Sequence, residues 1–354
     1  MARIQVGGAG GAPAHNLIRS LREAHPDDYL IGTSSVASDL ILADVDEAHL
    51  VPYAYSADYE DALLSVLKRS KPELLMVQHD FEVLAVSRLR EKIRSEGVSL
   101  FLPAPETIET CVDKYRSYEV WAEGGLRVPL TRLIRSEADV DAAFQELRRP
   151  VWLRMRTGGG GRGAIATRDP HFAKLWIERL GGWGEFTAAE KLSSVSVTWS
   201  SIWHEGALVV AQSRRRLGWA MGDRAPSGVT GVTRIAETLS DPEVDQCALS
   251  AIRAVDSRPH GVFSVDMTLD QAGTPCPTEI NIGRFFTTIY FFTAAGLNMP
   301  AICRNIALTG DVPSFDRKIN PLPVGLMWLR SMDRQPVICS VEEFRRIEAE
   351  GFRC

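Results

Sequence analysis

The sequence carries two carboxylates that a β-hairpin would bring face to face. Apolar and polar residues alternate over 261–282, and Gln271–Gly273 supplies a turn in the middle of this run. A turn centred there places Asp266 directly opposite Glu279, with Cβ atoms about 5 Å apart. Two carboxylates that close repel each other unless a proton or a cation lies between them. Asn281 shares the face of Glu279, and this all-oxygen set predicts a site for Mg²⁺ or Mn²⁺ rather than zinc.

Arg284 adds a cation just beyond the second strand of this hairpin. Guanidinium groups and divalent metals share polyphosphate oxygens in enzymes that transfer phosphoryl groups. The hairpin therefore indicates phosphate chemistry. A register that slips by one residue would separate the two carboxylates, and two independently solvated side chains are the other alternative. The residues alone leave both alternatives open.

Two glycine-rich turns are candidates for binding nucleotide phosphates. The first, Gly7–Gly11, follows an apolar strand, but Pro13 stands where a dinucleotide fingerprint has its third glycine, and Thr33 near where an acid would hold the ribose. We interpret this turn as structural and not as an NAD site. The second, Gly158–Gly163, has five glycines in six positions but lacks the Lys-Ser/Thr of a P-loop. It suits a loop whose backbone N–H groups close over an anion, with a ligand-free hairpin tip as the alternative.

Strand and helix signals alternate over the first 110 residues. Strands are predicted at 4–6, 29–31, 74–77 and 98–102, and helices from Pro13 onward, at 59–67 and at 83–93. This alternation with short connections indicates a parallel sheet covered on both faces. The second half is predicted to hold a helix at 114–123, a strand at 151–154, and hairpins at 195–212 and 261–282. We therefore predict an α/β lobe with a parallel sheet, followed by an α+β lobe with an antiparallel sheet.

Composition narrows the class of protein. The 354 residues are 45% hydrophobic and 24% charged, which is typical of a folded chain of two or three packed lobes. A net charge of −5 argues against nucleic-acid binding. No apolar run reaches the roughly 20 residues that cross a bilayer, and the first residues show no signal-peptide pattern. The six cysteines are far apart, so we expect no disulfide framework and a cytoplasmic location.

Six short motifs follow one another along residues 1–312. They are Val112-Asp113-Lys114, Gly125–Pro129, Pro150–Arg154 with its glycine loop, Glu190-Lys191-Leu192, Asp266, and Glu279–Arg284. In this order they resemble the ATP-grasp superfamily, in particular the carboxylate–amine ligases of the carbamoyl phosphate synthetase and biotin carboxylase type. The resemblance implies an N-terminal domain at 1–112, an ATP-grasp domain at 113–312 with a small lobe at about 125–190, and a packing extension at 313–354. The extension ends in Phe344, Ile347 and Phe352, at helical spacing.

The resemblance implies a role for each matching residue. Lys114 and Arg154 look like the cations that grip ATP phosphates, and Arg284 like the arginine that steadies an acyl phosphate. Arg154 and Arg284 are thus the expected catalytic residues. The remaining roles are a lid over the nucleotide (Thr157, Gly158, Gly159, Gly160, Gly161 and Gly163), an adenine-reading hinge (Glu190, Lys191 and Leu192) and magnesium ligands (Asp266, Glu279 and Asn281). The chain departs from the family at Ser193–Ser196, which lacks the usual ribose-binding acid, and in the five-residue step from Glu279 to Arg284.

The resemblance implies an ATP-dependent ligase. A small carboxylate would be activated as an acyl phosphate and joined to an amine through a C–N bond, releasing ADP and phosphate. ATP and Mg²⁺ or Mn²⁺ are the expected cofactors, small-molecule acids and amines the expected partners, with no nucleic acid or membrane, and we allow for a homodimer. Alternatives are a bicarbonate-activating enzyme of the carbamoyl phosphate type and a non-catalytic nucleotide sensor. Arg214 and Arg216 share a strand face and, with Arg234, are candidate substrate contacts; a solvated strand end is the other interpretation.

Overall fold

The computed structural model describes residues 1–331, 337–343 and 345. Phe344, Ile347 and Phe352, the predicted helical face of the C-terminal extension, lie outside the described residues.

A parallel sheet forms from the first hundred residues, with strand order β3-β2-β1-β4-β5. Its strands are β1 (Arg3–Gly7), β2 (Tyr29–Ser34), β3 (Glu47–Leu50), β4 (Leu74–Met76) and β5 (Ser99–Leu100). The order reverses between β1 and β4, and in open α/β sheets ligands gather at the carboxyl ends of strands at such a point. The predicted parallel sheet is confirmed.

The helices of this lobe pack on both sides of the sheet. They are α1 (Ala12–Ala24), α2 (Ala37–Leu42), α3 (Tyr59–Ser70), α4 (Asp80–Arg88), α5 (Arg90–Ser95) and α6 (Pro105–Val112). The single helix predicted at 83–93 is wrong, because the backbone leaves helical geometry at Leu89 (φ −89°, ψ 5°) and two helices result. The short α2 and the edge strand β3 were not predicted; α2 buries no residue and so shows no apolar period.

A small antiparallel sheet follows helix α7 (Lys114–Glu123), whose bounds match the prediction. The sheet consists of β6 (Thr131–Ile134), β7 (Val151–Met155), β8 (Ile165–Thr167) and β9 (Phe186–Glu190), in the order β6-β9-β7-β8, with α8 (Glu137–Glu146) and α9 (Pro170–Arg179). Its apolar core, built around Leu153, Ile177 and Phe186, is confined to residues 134–188. This small lobe therefore has a core separate from that of the rest of the chain.

A large antiparallel sheet completes the fold, in the order β14-β13-β10-β11-β12-β15-β16. Its strands are β10 (Ser196–His204), β11 (Ala207–Trp219), β12 (Thr233–Leu239), β13 (Gly261–Leu269), β14 (Pro275–Ile282), β15 (Leu326–Leu329) and β16 (Val337–Ser340). The accompanying helices are α10 (Pro242–Val255), α11 (Tyr290–Ala294) and α12 (Met299–Thr309), with a 3₁₀ turn at Gly222–Arg224. Both predicted hairpins are confirmed, so the antiparallel second half is as expected.

Two apolar cores join the parallel sheet to the large antiparallel sheet. One contains Leu75 with Trp199 and Phe263, and the other contains Ile4 with Phe285 and Trp328. The carboxyl ends of the parallel strands are thereby held against the large sheet. None of the described helices is long and apolar enough to cross a membrane, and the described cysteines are all free.

Candidate active site

The carboxylate hairpin has the predicted register. Asp266 pairs directly with Glu279, and Asn281 follows on the same face of β14. A bulge just after Asp266 shifts the pairing, so that Met267 opposes Pro277. The two carboxylates therefore belong to the stretch of ladder that runs from the bulge toward the end of β14, and the alternative of a slipped register is excluded.

Asp266 is held by neighbours on two sides. The Thr198 hydroxyl, on the adjacent strand β10, donates a hydrogen bond to its carboxylate. The Asn281 side-chain amide donates to Oδ2 at 3.1 Å, and Arg216 Nη2 lies 3.6 Å from Oδ1. Because each contact comes from a different strand, the orientation of this carboxylate is fixed by the sheet itself.

Glu279 is approached by cations from two other parts of the chain. Its Oε2 lies 3.4 Å from Lys114 Nζ at the start of α7, and 4.0 Å from Arg154 Nη1 on β7. Arg154 also donates from Nη2 to the Thr278 carbonyl at 2.8 Å. Burial lowers the pKa of Arg154, and the charge of Glu279 opposes this shift. The small lobe, α7 and the hairpin thus converge on one carboxylate.

Arg284 links the hairpin to the parallel-sheet lobe. Its Nε and Nη2 donate to the two carboxylate oxygens of Asp80, at 2.5 and 3.0 Å, and Nη2 also donates to the Asn281 amide oxygen at 2.5 Å. Burial alone would raise the pKa of Asp80, but the charge and hydrogen bonds of Arg284 outweigh it and leave that pKa below its usual value. This bidentate pair fixes the guanidinium beside the two opposed carboxylates.

The glycine loop lies over the same group of residues. Lys114 Nζ donates to the Gly158 carbonyl at 2.5 Å, and an ion pair between Asp113 and Arg156 anchors the start of the loop. Within the loop the backbone is left-handed at four glycines, with φ between +70° and +79° (Gly158, Gly160, Gly161 and Gly163). Residues other than glycine rarely adopt this backbone conformation. Thr157, between the anchor and the glycines, is half-buried.

A second loop closes the far side of the glycine loop. A Cβ added to Gly231 would lie 2.6 Å from Gly160 Cα, and one added to Gly161 would lie 2.5 Å from the Val229 carbonyl oxygen. Val229 and Gly231 therefore pack directly against the glycine loop.

The predicted adenine hinge is placed at the exit of the small sheet. The Glu190 carboxylate accepts a hydrogen bond from the Leu130 N–H at 3.2 Å and lies 3.8 Å from Arg127. Groups of the protein itself therefore already engage this carboxylate. Lys191 is exposed and Leu192 half-buried. What this segment can offer a nucleotide is chiefly the backbone of 191–192.

Strand β11 directs its arginines to alternate faces. Arg214 and Arg216 share the face of Asp266, while Arg215 points the other way and pairs with Glu237. Arg216 donates to the Ser196 hydroxyl at 2.5 Å, and its Cζ lies 3.8 Å from the centre of the Trp219 ring. Arg234 is exposed on β12, and among the described residues its side chain has no ion pair; its substrate role stays a prediction.

Asp80 and Thr198 belong to the site, but the sequence analysis identifies neither of them. Asp80 begins α4 directly after the N-cap residue His79, which makes no side-chain capping bond, and its carboxylate binds Arg284. The available signal was its position after β4, where ligands collect in open α/β sheets. Thr198 gave no signal, because its role depends on the pairing of β10 with β13.

Comparisons with known proteins are informative at the level of structure. Neither protein-family models nor curated protein sequences give a match. An L-amino acid ligase from Bacillus licheniformis is 12% identical, with a TM-score of 0.68 over 93% of this chain and 79% of that one. A biotin carboxylase from Campylobacter jejuni is 15% identical, with a TM-score of 0.68 over 92% and 74%. A carboxyaminoimidazole ribonucleotide synthase from Aspergillus clavatus, solved with ATP, is 15% identical, with a TM-score of 0.69 over 93% and 81%.

At these identities the similarity shows the fold. The chain has the ATP-grasp fold: a parallel-sheet lobe followed by the small and large antiparallel sheets. The fold class implied by the six motifs is confirmed.

Proposed function

We propose that this chain is an ATP-dependent ligase that activates a small carboxylate as an acyl phosphate and joins it to an amine. The supporting observation is the convergence of Lys114, Arg154 and Arg284 on the opposed carboxylates Asp266 and Glu279. The similarity to solved carboxylate–amine ligases supports the same chemistry. The Arg284–Asp80 pair joins this cluster to the parallel-sheet lobe.

The donor set fits magnesium. Mg²⁺ usually binds one or two carboxylates, with substrate phosphates and waters completing its shell. Glu279 and Asp266 are the proposed holders, and the side chain of Glu279 is 29% exposed and flanked by cations. Asn281, the third proposed ligand, has its amide oxygen occupied by Arg284 and would have to exchange that contact. Bound Mg²⁺ would neutralise charge on the phosphates of ATP.

The first proposed step transfers a phosphoryl group. A substrate carboxylate oxygen attacks the γ-phosphorus of ATP, the bond to ADP breaks, and an acyl phosphate forms. Lys114 and Arg154 would hold the phosphates, while Arg284, fixed by Asp80, would stabilise the charge on the transferred group. Thr157 and the lid glycines would add backbone N–H groups, and Glu190, Lys191 and Leu192 would position the adenine.

The second proposed step forms the C–N bond. The amine attacks the acyl carbon, the bond to phosphate breaks, and the amine loses a proton. Water competes with the amine for the acyl phosphate, so the glycine loop has to exclude it. The small lobe, at about 125–190 within a proposed ATP-grasp domain at 113–312, carries this loop and would close it over the site. The other proposed parts of the chain are an N-terminal domain at 1–112 and a packing extension at 313–354.

The direct test is ADP release with panels of carboxylates, with and without amines, in the presence of Mg²⁺. We expect release that depends on one acid and rises with one class of amine. Release driven by bicarbonate alone would favour the carbamoyl-phosphate alternative, and nucleotide binding without any release would favour a sensor.

Glu279→Gln should reduce ADP release at least about 100-fold, because it removes a carboxylate that would hold Mg²⁺ against the phosphates, and losing one such electrostatic contribution typically costs this much. The variant should keep its melting temperature within a few degrees. Glu205→Gln, in an exposed turn, is the matched control and should keep full activity. Near-normal turnover of Glu279→Gln would remove Glu279 from the proposed metal site.

A further inference from the structure

A buried arginine without a counterion lies beside this site. Arg214 is 1% exposed, and its Nε and Nη1 groups have no hydrogen-bond partner among the described residues. We propose that Arg214 binds a carboxylate of the organic substrate that the reaction does not consume. This inference rests on the proposed ligase function and narrows its substrates: either the acid is a dicarboxylate, or the amine belongs to an amino acid.

An unpaired guanidinium is unfavourable in this environment. Moving a charge out of water without a partner costs several kcal/mol, and arginine stays charged under ordinary conditions. Burial lowers the pKa of Arg214 well below its usual value, the charge of Arg216 adds to the shift, and Asp266 opposes it. An incoming anion would relieve this cost, so the residue is explained if a ligand supplies the counterion.

The strand register places Arg214 near the reaction centre but not within it. Arg214 pairs with Thr198 on β10, which pairs in turn with Asp266 on β13. Two strand spacings separate Arg214 from Asp266, roughly 10 Å between backbones. The Arg214 Cζ lies 4.6 Å from the centre of the Phe286 ring, two residues beyond Arg284. A small molecule of this length would contact Arg214 with one end and react at the other once the side chains that cover Arg214 move aside.

The surroundings favour a carboxylate over a phosphate. The proposed phosphate cations Lys114, Arg154 and Arg284 gather around Glu279 and Asp80. Close to Arg214, the hydroxyls of Thr198 and Thr238 already donate elsewhere, to Asp266 and to the Pro323 carbonyl. A single planar guanidinium matches one carboxylate, which it can bind through two parallel hydrogen bonds.

The first test needs no ligand. Arg214→Met removes the unpaired charge and keeps much of the volume, so the melting temperature of the full chain should rise by about 2 °C or more. The matched control is Arg215→Met, on the opposite face of the same strand. It should lower the melting temperature, because it leaves the buried Glu237 without its partner. A clear fall for Arg214→Met would show that Arg214 is paired in the free protein and would overturn the proposal.

The second test measures binding without ATP. Succinate, glutarate, butyrate, L-alanine, L-alaninol and inorganic phosphate are titrated against the wild type and Arg214→Met, following thermal shift. We expect a dicarboxylate or the amino acid to stabilise the wild type, with affinity lost at least about 10-fold in the variant, since a carboxylate–arginine contact is charge-assisted. Stabilisation by a dicarboxylate would show that Arg214 binds the acid substrate. Stabilisation by L-alanine but not by L-alaninol would show that Arg214 binds the amine substrate.

Three results would overturn the inference: no stabilisation by any carboxylate, equal stabilisation of both proteins, or loss of phosphate binding alone. Turnover measurements distinguish a failure of this inference from a failure of the proposed ligase function. Unchanged KM values for both organic substrates in Arg214→Met, with ADP still released, reject the subsite and leave the ligase standing. Carboxylate binding that requires Arg214, without any ADP release, supports the subsite and rejects the ligase.

Discussion

Gly7–Gly11 and Gly158–Gly163 have similar composition but opposite surroundings. In the first turn, a Cβ on Gly10 would lie 2.1 Å from the Asp39 carbonyl oxygen, and one on Gly7 would lie 2.4 Å from the Glu82 carboxylate. In the second, a Cβ on Gly160 would meet nothing within 4 Å. The first turn is enclosed by its own chain at Gly7 and Gly10, whereas the second has open space at Gly160 and is enclosed only further along, where Gly161 meets Val229. The same residue type thus serves close packing in one lobe and, in our proposal, access for a ligand in the other.

Gly10→Ala should have the largest effect on stability. The residue has φ +91° and its Cβ would overlap a backbone carbonyl, so we expect a loss of about 3 kcal/mol or more in the free energy of unfolding. Gly97→Ala is the control, since it has φ +81° with open space around it, and should cost only about 1 kcal/mol. Equal costs in denaturant titrations would show that the first turn is not enclosed.

Glu82, the carboxyl against the first turn, should make stability depend on pH. Burial raises its pKa from 4.5 to about 7, although a hydrogen bond from Tyr59 opposes the shift. Because the folded pKa exceeds the unfolded one, the native state binds the proton more tightly. The stability that Glu82 contributes to the folded state is complete below about pH 4.5 and is lost as the pH rises through 7.

Glu82→Gln should remove this loss. Relative to the variant, the wild type should lose up to about 3 kcal/mol of unfolding free energy between pH 5 and pH 8. Urea titrations of both proteins across this range measure the difference, with Glu205→Gln as an exposed control that should stay parallel to the wild type. A constant difference between wild type and Glu82→Gln would mean that Glu82 is solvated.

Replacing Gly159 and Gly160 of the second turn together by alanine should reduce catalysis strongly and change stability only a little. We expect kcat/KM for ATP to fall about 10- to 100-fold, since the backbone can no longer approach the phosphates. The unfolding free energy should change by only about 1 kcal/mol, because Gly160 has open space around it. Equal losses in kcat/KM and stability would make this turn structural like the first.

Hydrogen exchange across 156–164 sharpens the same contrast. Protection should appear when a non-hydrolysable ATP analogue binds, while residues 7–11 should exchange equally with and without it. If ATP binds and the exchange of 156–164 does not change, the loop is a connection and the lid lies elsewhere.

The carboxylate hairpin was predictable because its evidence is local. Side-chain alternation and the turn at Gln271–Gly273 set Asp266 opposite Glu279, and the bulge lies on the far side of Asp266, so it leaves this pair in place. The order of motifs then indicated the fold. Arg214 and Arg216 were also correctly assigned to one face, because strand periodicity needs no knowledge of tertiary contacts.

Contacts between distant parts of the chain were not predictable from such patterns. Asp80 and Arg284 are 204 positions apart, and nothing local to either residue marks the pair. The missing partner of Arg214 is likewise a property of everything packed around it. The enclosed environment of Gly10 depends on α2, a helix too short and too exposed to leave an apolar pattern.

The pair between Asp80 and Arg284 also has a consequence for synthesis. The strands of the parallel sheet all lie within residues 3–100, so this lobe can assemble before the hairpin exists. At about 5–20 residues per second, roughly 10 to 40 s separate the translation of Asp80 from that of Arg284. During this interval the Asp80 carboxylate lacks its arginine partner at the edge where the later sheet must dock. The arriving arginine then supplies the opposite charge at that edge, which favours correct docking over non-specific apolar association.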